Sequence, residues 1–345
     1  MTSDFPQFRR SGSWDGEDIL FGIAGELRSD RRFIGSSDFN IYEVDAADET
    51  VERTAFDGDR HQSYVTSLVL IGDVLISASY DRRLIFWDVN SRHSRHVIPA
   101  HDRWIRRVVA LPDQRRVVSI ADDMLCKVWD IETRELIVAL TDHRPQTPHN
   151  YPSMLYALCA SADGRWLATG DRVGHIAIWD AENYQQVGEL DAPLLYTWDA
   201  VQRRRSIGGI RSLAFSPDGT RLAAGGVGQI GNVDGLAGPA RLEIFEWQSG
   251  NRLHEIEDPE RQGLIEQITW TPDGRWLITA GGDHKGVLAV YAGETGKQQF
   301  RADSEGHIHS FVYDPDRGIL DAAGHRQFIR WTMTPSENTN DQPAG

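Results

Sequence analysis

The chain has 345 residues, 40% of them hydrophobic, with 36 basic and 51 acidic side chains and a formal net charge of −15. That balance lacks the concentrated basic face that duplex binding needs and argues against nonspecific nucleic-acid or membrane association, and no apolar run is long enough to span a bilayer. Two cysteines, Cys126 and Cys159, can build neither a disulfide framework nor a zinc site and read as small core residues.

Residues 1–16 hold no apolar run of the signal-peptide kind, so a cytoplasmic protein is expected. From there short apolar strands and tight polar turns alternate. Strands are expected near 18–23, 32–35, 39–44 and 51–56, then 64–70, 74–79, 84–88 and 96–98. They continue at 104–111, 117–120, 126–129 and 136–140, then 154–159, 166–169, 175–179 and 186–190. The next groups are 210–215, 222–224, 242–245 and 252–256, then 265–270, 277–280, 287–291 and 298–300, and last 308–313, 319–323 and 328–332. Residues 333–345 are polar and read as a disordered tail.

The same phrase recurs along this series. Residues 76–89 read ISASYDRRLIFWDV, 119–131 SIADDMLCKVWDI and 169–181 TGDRVGHIAIWDA, and weaker copies end at Val44, Phe245, Tyr291 and Trp331. A second phrase joins the first two strands of several groups: Ser161-Ala162-Asp163-Gly164, Ser216-Pro217-Asp218-Gly219 and Thr271-Pro272-Asp273-Gly274, with Asp314-Pro315-Asp316 as a variant. Its Pro, Asp and Gly are hairpin-turn residues. Seven copies at a base period of roughly 40–45 residues, most with four short strands and three with a Trp-Asp ending, form a repeat array.

Those phrases resemble the WD40 repeat family over nearly the whole chain. The resemblance implies an all-β fold, a seven-bladed WD40-like β-propeller closed by an N-terminal strand in the last blade. The blades would span 15–57, 58–99, 100–141, 142–191, 192–257, 258–301 and 302–332, with 5–9 supplying the missing strand of the seventh. It also implies a buried His–Ser/Thr–Asp–Trp tetrad. His61, Ser77, Asp81 and Trp87 match it in one blade, and His101, Ser119, Asp123 and Trp129 in the next. The fourth blade keeps Thr169 and Trp179 but has Val173 where Asp is expected, the first keeps Asp38 but has Val44 for Trp, and the last three lack most of the set. A Ser, His and Asp together invite a catalytic reading, but a set repeated against Trp is a strut, because a buried imidazole and carboxylate must be paired.

Other motifs weigh less. Gly226-Val227-Gly228-Gln229-Ile230-Gly231 spells G-x-G-x-x-G but runs into Asn, Asp, Gly and Pro residues that cannot open a helix, so a loop is expected. His307 and His309 alternate on a strand and could share a metal, yet no third ligand has a convincing spacing, so neither a metal nor any other cofactor is expected. The longest insertions, 141–153, 191–209 and 227–240, all belong to loops that the family resemblance places on the top face, the side from which the inner strands start. Insertions gathered on one face mark a binding side. The middle one holds Trp198 beside Arg203, Arg204 and Arg205, types suited to an interface, and equally suited to a plug on its own propeller. Strand starts and turn tips add Tyr64, Tyr80, Trp104, Arg106, Tyr156, Arg172 and Arg211.

The expectation is therefore a noncatalytic interaction scaffold. It would hold another protein or peptide, acidic or phosphorylated since Arg pairs bidentately with carboxylate and phosphate, and work as a monomeric propeller within a larger complex. The alternatives are an enzyme or small-ligand binder using the central channel, which needs convergent carboxylates or a metal there, and an accessory subunit of a nucleic-acid complex acting through Arg203–Arg205.

Overall fold

The computed structural model describes residue 5 and residues 7–48, 52–231 and 238–334. Its strands are short, and their burial follows their place in each sheet. Second strands such as Val74–Ser79, Arg116–Ala121 and Trp166–Asp171 are buried at every position but the first, because neighbouring sheets cover both of their faces. Outer strands such as Leu136–Leu140 have one buried residue at the end and an otherwise open pattern. Apolar clusters lie between consecutive sheets: one is shared by Ile76, Phe86, Val108 and Trp129, the next by Val118, Val128, Leu158 and Trp179. Sheets stacked face to face around an axis in this way make a β-propeller.

Five of the sheets have four strands each. Their first and last strands are Val65–Ile71 and His93–Pro99, Ile105–Ala110 and Leu136–Leu140, Leu155–Ala160 and Gln186–Asp191, Ile210–Phe215 and Asn251–Gln262, and Leu264–Trp270 and Gln298–Ser304. The sixth has six strands in the order Ile308–Asp314, Ile319–Thr334, Gln7–Gly25, Arg31–Ser36, Ile41–Asp45, Thr54–Ala55. The expected count of seven separate blades is thus corrected to six large sheets. The cause is the length of two strands. Gln7–Gly25, of 19 residues, pairs with the last strand from Gln7 to Ile19 and with Arg31–Ser36 from Leu20 onward. The last strand, of 16 residues, also pairs with Ile308–Asp314. One strand therefore serves both pairings, shifting register between Asp15 and Ile19, where a repeat count sees two units.

The last strand continues through Met333 and Thr334, two residues into the expected tail, because Met333 pairs with Phe8 and its sulfur lies 3.3 Å from the Tyr313 hydroxyl. Phe5 and Phe8 are buried against Trp276, Phe300 and Tyr313. The strand expected over 39–44 starts at Ile41, since Phe39 sits in a turn at φ +76°, and the one expected over 51–56 is described only as Thr54–Ala55. Gly164, Gly219 and Gly274 adopt φ of +73°, +70° and +67° in the hairpin turns that their phrase foretold. Gly226 ends no helix: it lies in the strand Arg221–Val227, and a Cβ there would meet the Gly209 carbonyl at 2.5 Å. Residues 232–237 of the expected loop and 335–345 of the expected tail lie outside the described residues. Among the described residues, no helix is long and apolar enough to cross a membrane.

Candidate partner-binding face and central channel

In the tetrads every polar side chain is committed to a buried hydrogen bond. His61 places Nδ1 2.9 Å from Asp81 and Nε2 2.7 Å from Ser77 Oγ, which also accepts the Trp87 indole N–H at 2.8 Å. His101, Asp123, Ser119 and Trp129 repeat this at 3.0, 2.8 and 2.9 Å. Both serines have no exposed surface, and their hydroxyls are committed to imidazole and indole. Burial lowers the pKa of His61 and His101, so each is held neutral between its partners. A third tetrad forms where none was expected. His143 bonds Asp171 at 3.1 Å and Thr169 at 2.8 Å, and Trp179 donates to Thr169 at 3.2 Å. Val173 holds the usual Asp position in sequence, but Asp171 at the end of Trp166–Asp171 reaches the imidazole instead. Cys126 is a core residue and Cys159 is half-buried against the core, with burial pushing each thiol up to about 12.

Above the tetrads, on the face where the innermost strands begin, the candidate residues line up in one arc. Tyr64 stacks on Phe21 at 5.3 Å between centroids and touches Phe39 at 5.9 Å and Tyr80 at 6.0 Å. Tyr80 stacks on Trp104 at 4.6 Å. The Arg106 guanidinium lies 4.9, 5.4 and 5.2 Å from the Tyr80, Trp104 and Tyr156 rings, and is gripped by Asp122 through two contacts of 2.7 Å. Burial opposes its charge, but that bidentate contact outweighs the cost and raises its pKa. Arg211 covers Tyr156 at 3.9 Å, and Arg172 donates to the Tyr156 hydroxyl at 2.6 Å. Trp104, Tyr64 and Phe39 are 50%, 41% and 39% exposed, whereas Tyr156 and Arg172 are 7% and 9% exposed. Those last two were expected at the surface. They form its floor instead, because the ring and guanidinium cover each other.

The 191–209 insertion folds as a hairpin, Tyr196–Asp199 against Arg205–Gly208. Trp198 stacks on His149 at 4.6 Å and touches Tyr151, which in turn lies 5.4 Å from Arg172. The Gln229 amide donates to the Leu194 and Tyr196 carbonyls, and the Ile230 N–H donates to Thr197. The three long insertions therefore rest on one another, and Trp198 extends the arc while covering its own protein. Arg203, Arg204 and Arg205 are exposed at the hairpin tip.

Inside the arc, a cavity of about 150 Å³ opens on the axis, lined among others by Phe21, Thr66, Arg106, Tyr156, Arg211, Glu266 and His309. Each follows a buried aliphatic residue at the start of an innermost strand segment (Leu20, Val65, Ile105, Leu155, Ile210, Ile265, Ile308). Aligning the repeats on that aliphatic residue would have found Phe21 and Glu266, which sequence reasoning missed. Tyr151 and His149 carry no such signal, since they sit in an insertion. Glu266 lies 3.5 Å from His307 and is the acidic neighbour that the pair of histidines lacked in sequence. Burial pushes the Glu266 carboxyl up, but His307, Arg211 and His309 together hold it down at about 2. Burial also lowers the pKa of Arg107, His309 and His325 at this site.

Known proteins share parts of this chain. The family model described as WD domain, G-beta repeat, matches residues 92–130, 144–180, 204–230 and 250–286. Nuclear distribution protein PAC1 of Arthroderma otae is 32% identical over 169 residues, 42% of this chain and 37% of that protein. Telomerase protein component 1 of Mus musculus is 23% identical over 77% of this chain and 9% of its own length. Protein HIR1 of Kluyveromyces lactis is 26% identical over 51% of this chain and 21% of its own. The chain thus spans less than two fifths of each of these relatives. It carries WD40 repeats in four places on a β-propeller frame.

Proposed function

We propose that this propeller is a noncatalytic protein-interaction scaffold, and that an acidic segment of a partner protein lies across the aromatic arc near residues 64–211. The observation that carries this reading is the unbroken run from Tyr64 through Tyr80 and Trp104 to Arg106 and Arg211. Large, stiff, partly exposed rings backed by guanidinium groups bury much area at small entropic loss and keep a charge for a carboxylate or phosphate. The rest of the protein is strongly acidic, so a basic and aromatic face is a local departure that steers an acidic ligand to one side. The relatives fit a part in assemblies, one of them being named as a component of telomerase. On the same reading, the six-stranded sheet stands for two blades, with the pairing of Gln7–Asp15 against the last strand closing the ring, and the chain works in the cytoplasm as a single propeller within a larger complex.

The test is partner capture with Trp104→Ala and Arg211→Ala beside the unchanged protein, followed by affinity measurement on the captured segment. Either substitution at a centre of the contact is expected to weaken binding about tenfold or more. A partner that binds both variants as tightly as the unchanged protein defeats the proposal. Affinity that falls steeply with salt on a nucleic-acid ligand would move the function to the nucleic-acid class.

A further inference from the structure

Glu266, His307 and His309 present ligand atoms that all lie within 4.8 Å of one another. They come from the starts of two successive innermost strands, Leu264–Trp270 and Ile308–Asp314, so two sheets and not one flexible loop fix the group. His325 adds a third imidazole, its ring 4.8 Å from His309 and 5.4 Å from His307 between centroids. A plain ion pair explains part of this: Glu266 to His307 at 3.5 Å satisfies both. It leaves His309 unexplained. That ring is wedged between Phe21 and His307, at 4.8 and 4.5 Å, and its Nε2 is buried with no hydrogen-bond partner. A buried ring nitrogen without a partner costs stability in either tautomer, and a cation can satisfy it in the tautomer that places the lone pair on Nε2.

We infer that Glu266, His307 and His309 form a binding site for a divalent transition-metal ion of the zinc class at the mouth of the channel. Two imidazoles and one carboxylate are borderline ligands that suit Zn²⁺, Co²⁺ or Ni²⁺ better than Ca²⁺ or Mg²⁺. Metal–ligand distances of about 2.0–2.2 Å set the edges of a tetrahedron near 3.4 Å. The Glu266–His307 edge already stands at 3.5 Å, and rotation of the His309 ring shortens the others. Three protein ligands leave a fourth position open toward the cavity, where His325, water or a partner's side chain completes the shell. Arg211, close enough to Glu266 to stabilise its carboxylate, opposes the cation and stays paired with the Tyr156 ring. The site is therefore weaker than a closed structural zinc site, and neutralising Arg211 strengthens it.

The experiment is titration of the full chain, free of any histidine tag, with Zn²⁺ by calorimetry and with Co²⁺ by visible absorption. The expected result is a single metal equivalent per chain, a tetrahedral Co²⁺ spectrum, at least tenfold weaker binding in His309→Gln and Glu266→Gln, and tighter binding in Arg211→Met. His93→Ala, on an outer strand, leaves uptake as it was. Far-UV circular dichroism establishes that each variant is folded, and His307→Gln replaces any that is not. No uptake, or uptake equal in the unchanged protein and the folded ligand variants, overturns the assignment.

Discussion

The sheets of residues 65–191 and the six-stranded sheet at the chain ends fasten their strands with different chemistry. In the first region, Ser77, Ser119 and Thr169 each stand ten residues before a Trp and receive its indole N–H, with an imidazole and a carboxylate completing the set. In the second, the residue ten before Trp331 is Asp321. It takes Arg330 at 2.6 and 2.8 Å and Arg32 at 2.9 Å, and Arg330 and Arg317 both reach on to Asp30. Arg32 belongs to the strand Arg31–Ser36 and Asp321 to the last strand, so this network crosses the seam between the two chain ends. The same backbone position ties a sheet together in both regions. In one it uses a small hydroxyl that needs no net charge, in the other a buried ion cluster that fails badly if any member is removed.

Removing Asp321 should have the largest effect. Arg32 and the Asp321 side chain have no exposed surface, and Asp321 is the carboxylate bonded to Arg32. Asp321→Ala leaves a buried guanidinium uncompensated, which costs about 3–5 kcal/mol, and urea unfolding of the variant against the unchanged protein measures it. Asp321→Ser restores the hydroxyl of the other region but not the charge, and should lose nearly as much. A small loss in either variant would mean that water reaches Arg32 and that the seam is held by packing alone. Ser119→Ala is the matching break in the tetrad region. It strands the Trp129 N–H and the His101 Nε2 without partners, at about 1–3 kcal/mol, and the same unfolding measurement reads it. The order of the two losses, ion cluster above hydroxyl, is the sharper form of the comparison.

This contrast also marks how far the chain could be read without coordinates. The period, the hairpin turns and the two complete tetrads were legible because each rests on residues close in sequence: Asp163 folds over its own turn, and Ser77, Asp81 and Trp87 sit on one hairpin. The tetrad of His143 was hidden because its carboxylate moved from position 173 to 171, which no spacing rule foresees but which the strand end makes possible. A strand from residues 5–9 beside the last one was expected, but the run of that strand on to Ile19 and then into pairing with Arg31–Ser36 was hidden, because hydrogen bonding between the two chain ends leaves no local trace. The aromatic arc was partly legible: Tyr64, Tyr80, Trp104 and Arg106 sit at recognisable strand starts and turn tips, while Phe39 reaches the arc from a left-handed turn and Tyr151 from an insertion. Glu266 and His307 stand about one repeat apart at the starts of successive innermost strands, so only an alignment of those strand starts, and no local motif, could have placed them side by side.

The smallest expected effect separates the two fastenings by pH. Burial depresses the pKa of His61 and His101, whereas the same residues in the unfolded chain titrate near 6.5. Below about pH 6.5 the unfolded chain takes up protons that the folded imidazoles refuse, so stability is present in full above that pH and declines as pH falls toward the depressed folded values. His101 faces Asp123 and Asp102, which favour its protonation, and Lys127, which opposes it, and burial exceeds their sum. Asp123 works in the same direction at lower pH: its carboxyl is held below the usual range against the cost of burial by His101 and by backbone N–H groups, so its contribution is lost as pH drops through the carboxylate range. Stability should therefore fall from pH 7 to pH 5.5 through His61 and His101. Replacing His101 with Asn, which keeps a polar group beside Ser119 but cannot titrate, should flatten that part of the pH curve, while Asp321→Ala, which lies outside every tetrad, should lower the whole curve without changing its slope there. If His101→Asn leaves the slope as it was, the decline between pH 7 and 5.5 belongs to other imidazoles, with His61, His309 and His325, whose pKa burial also lowers, next to be replaced in the same measurement.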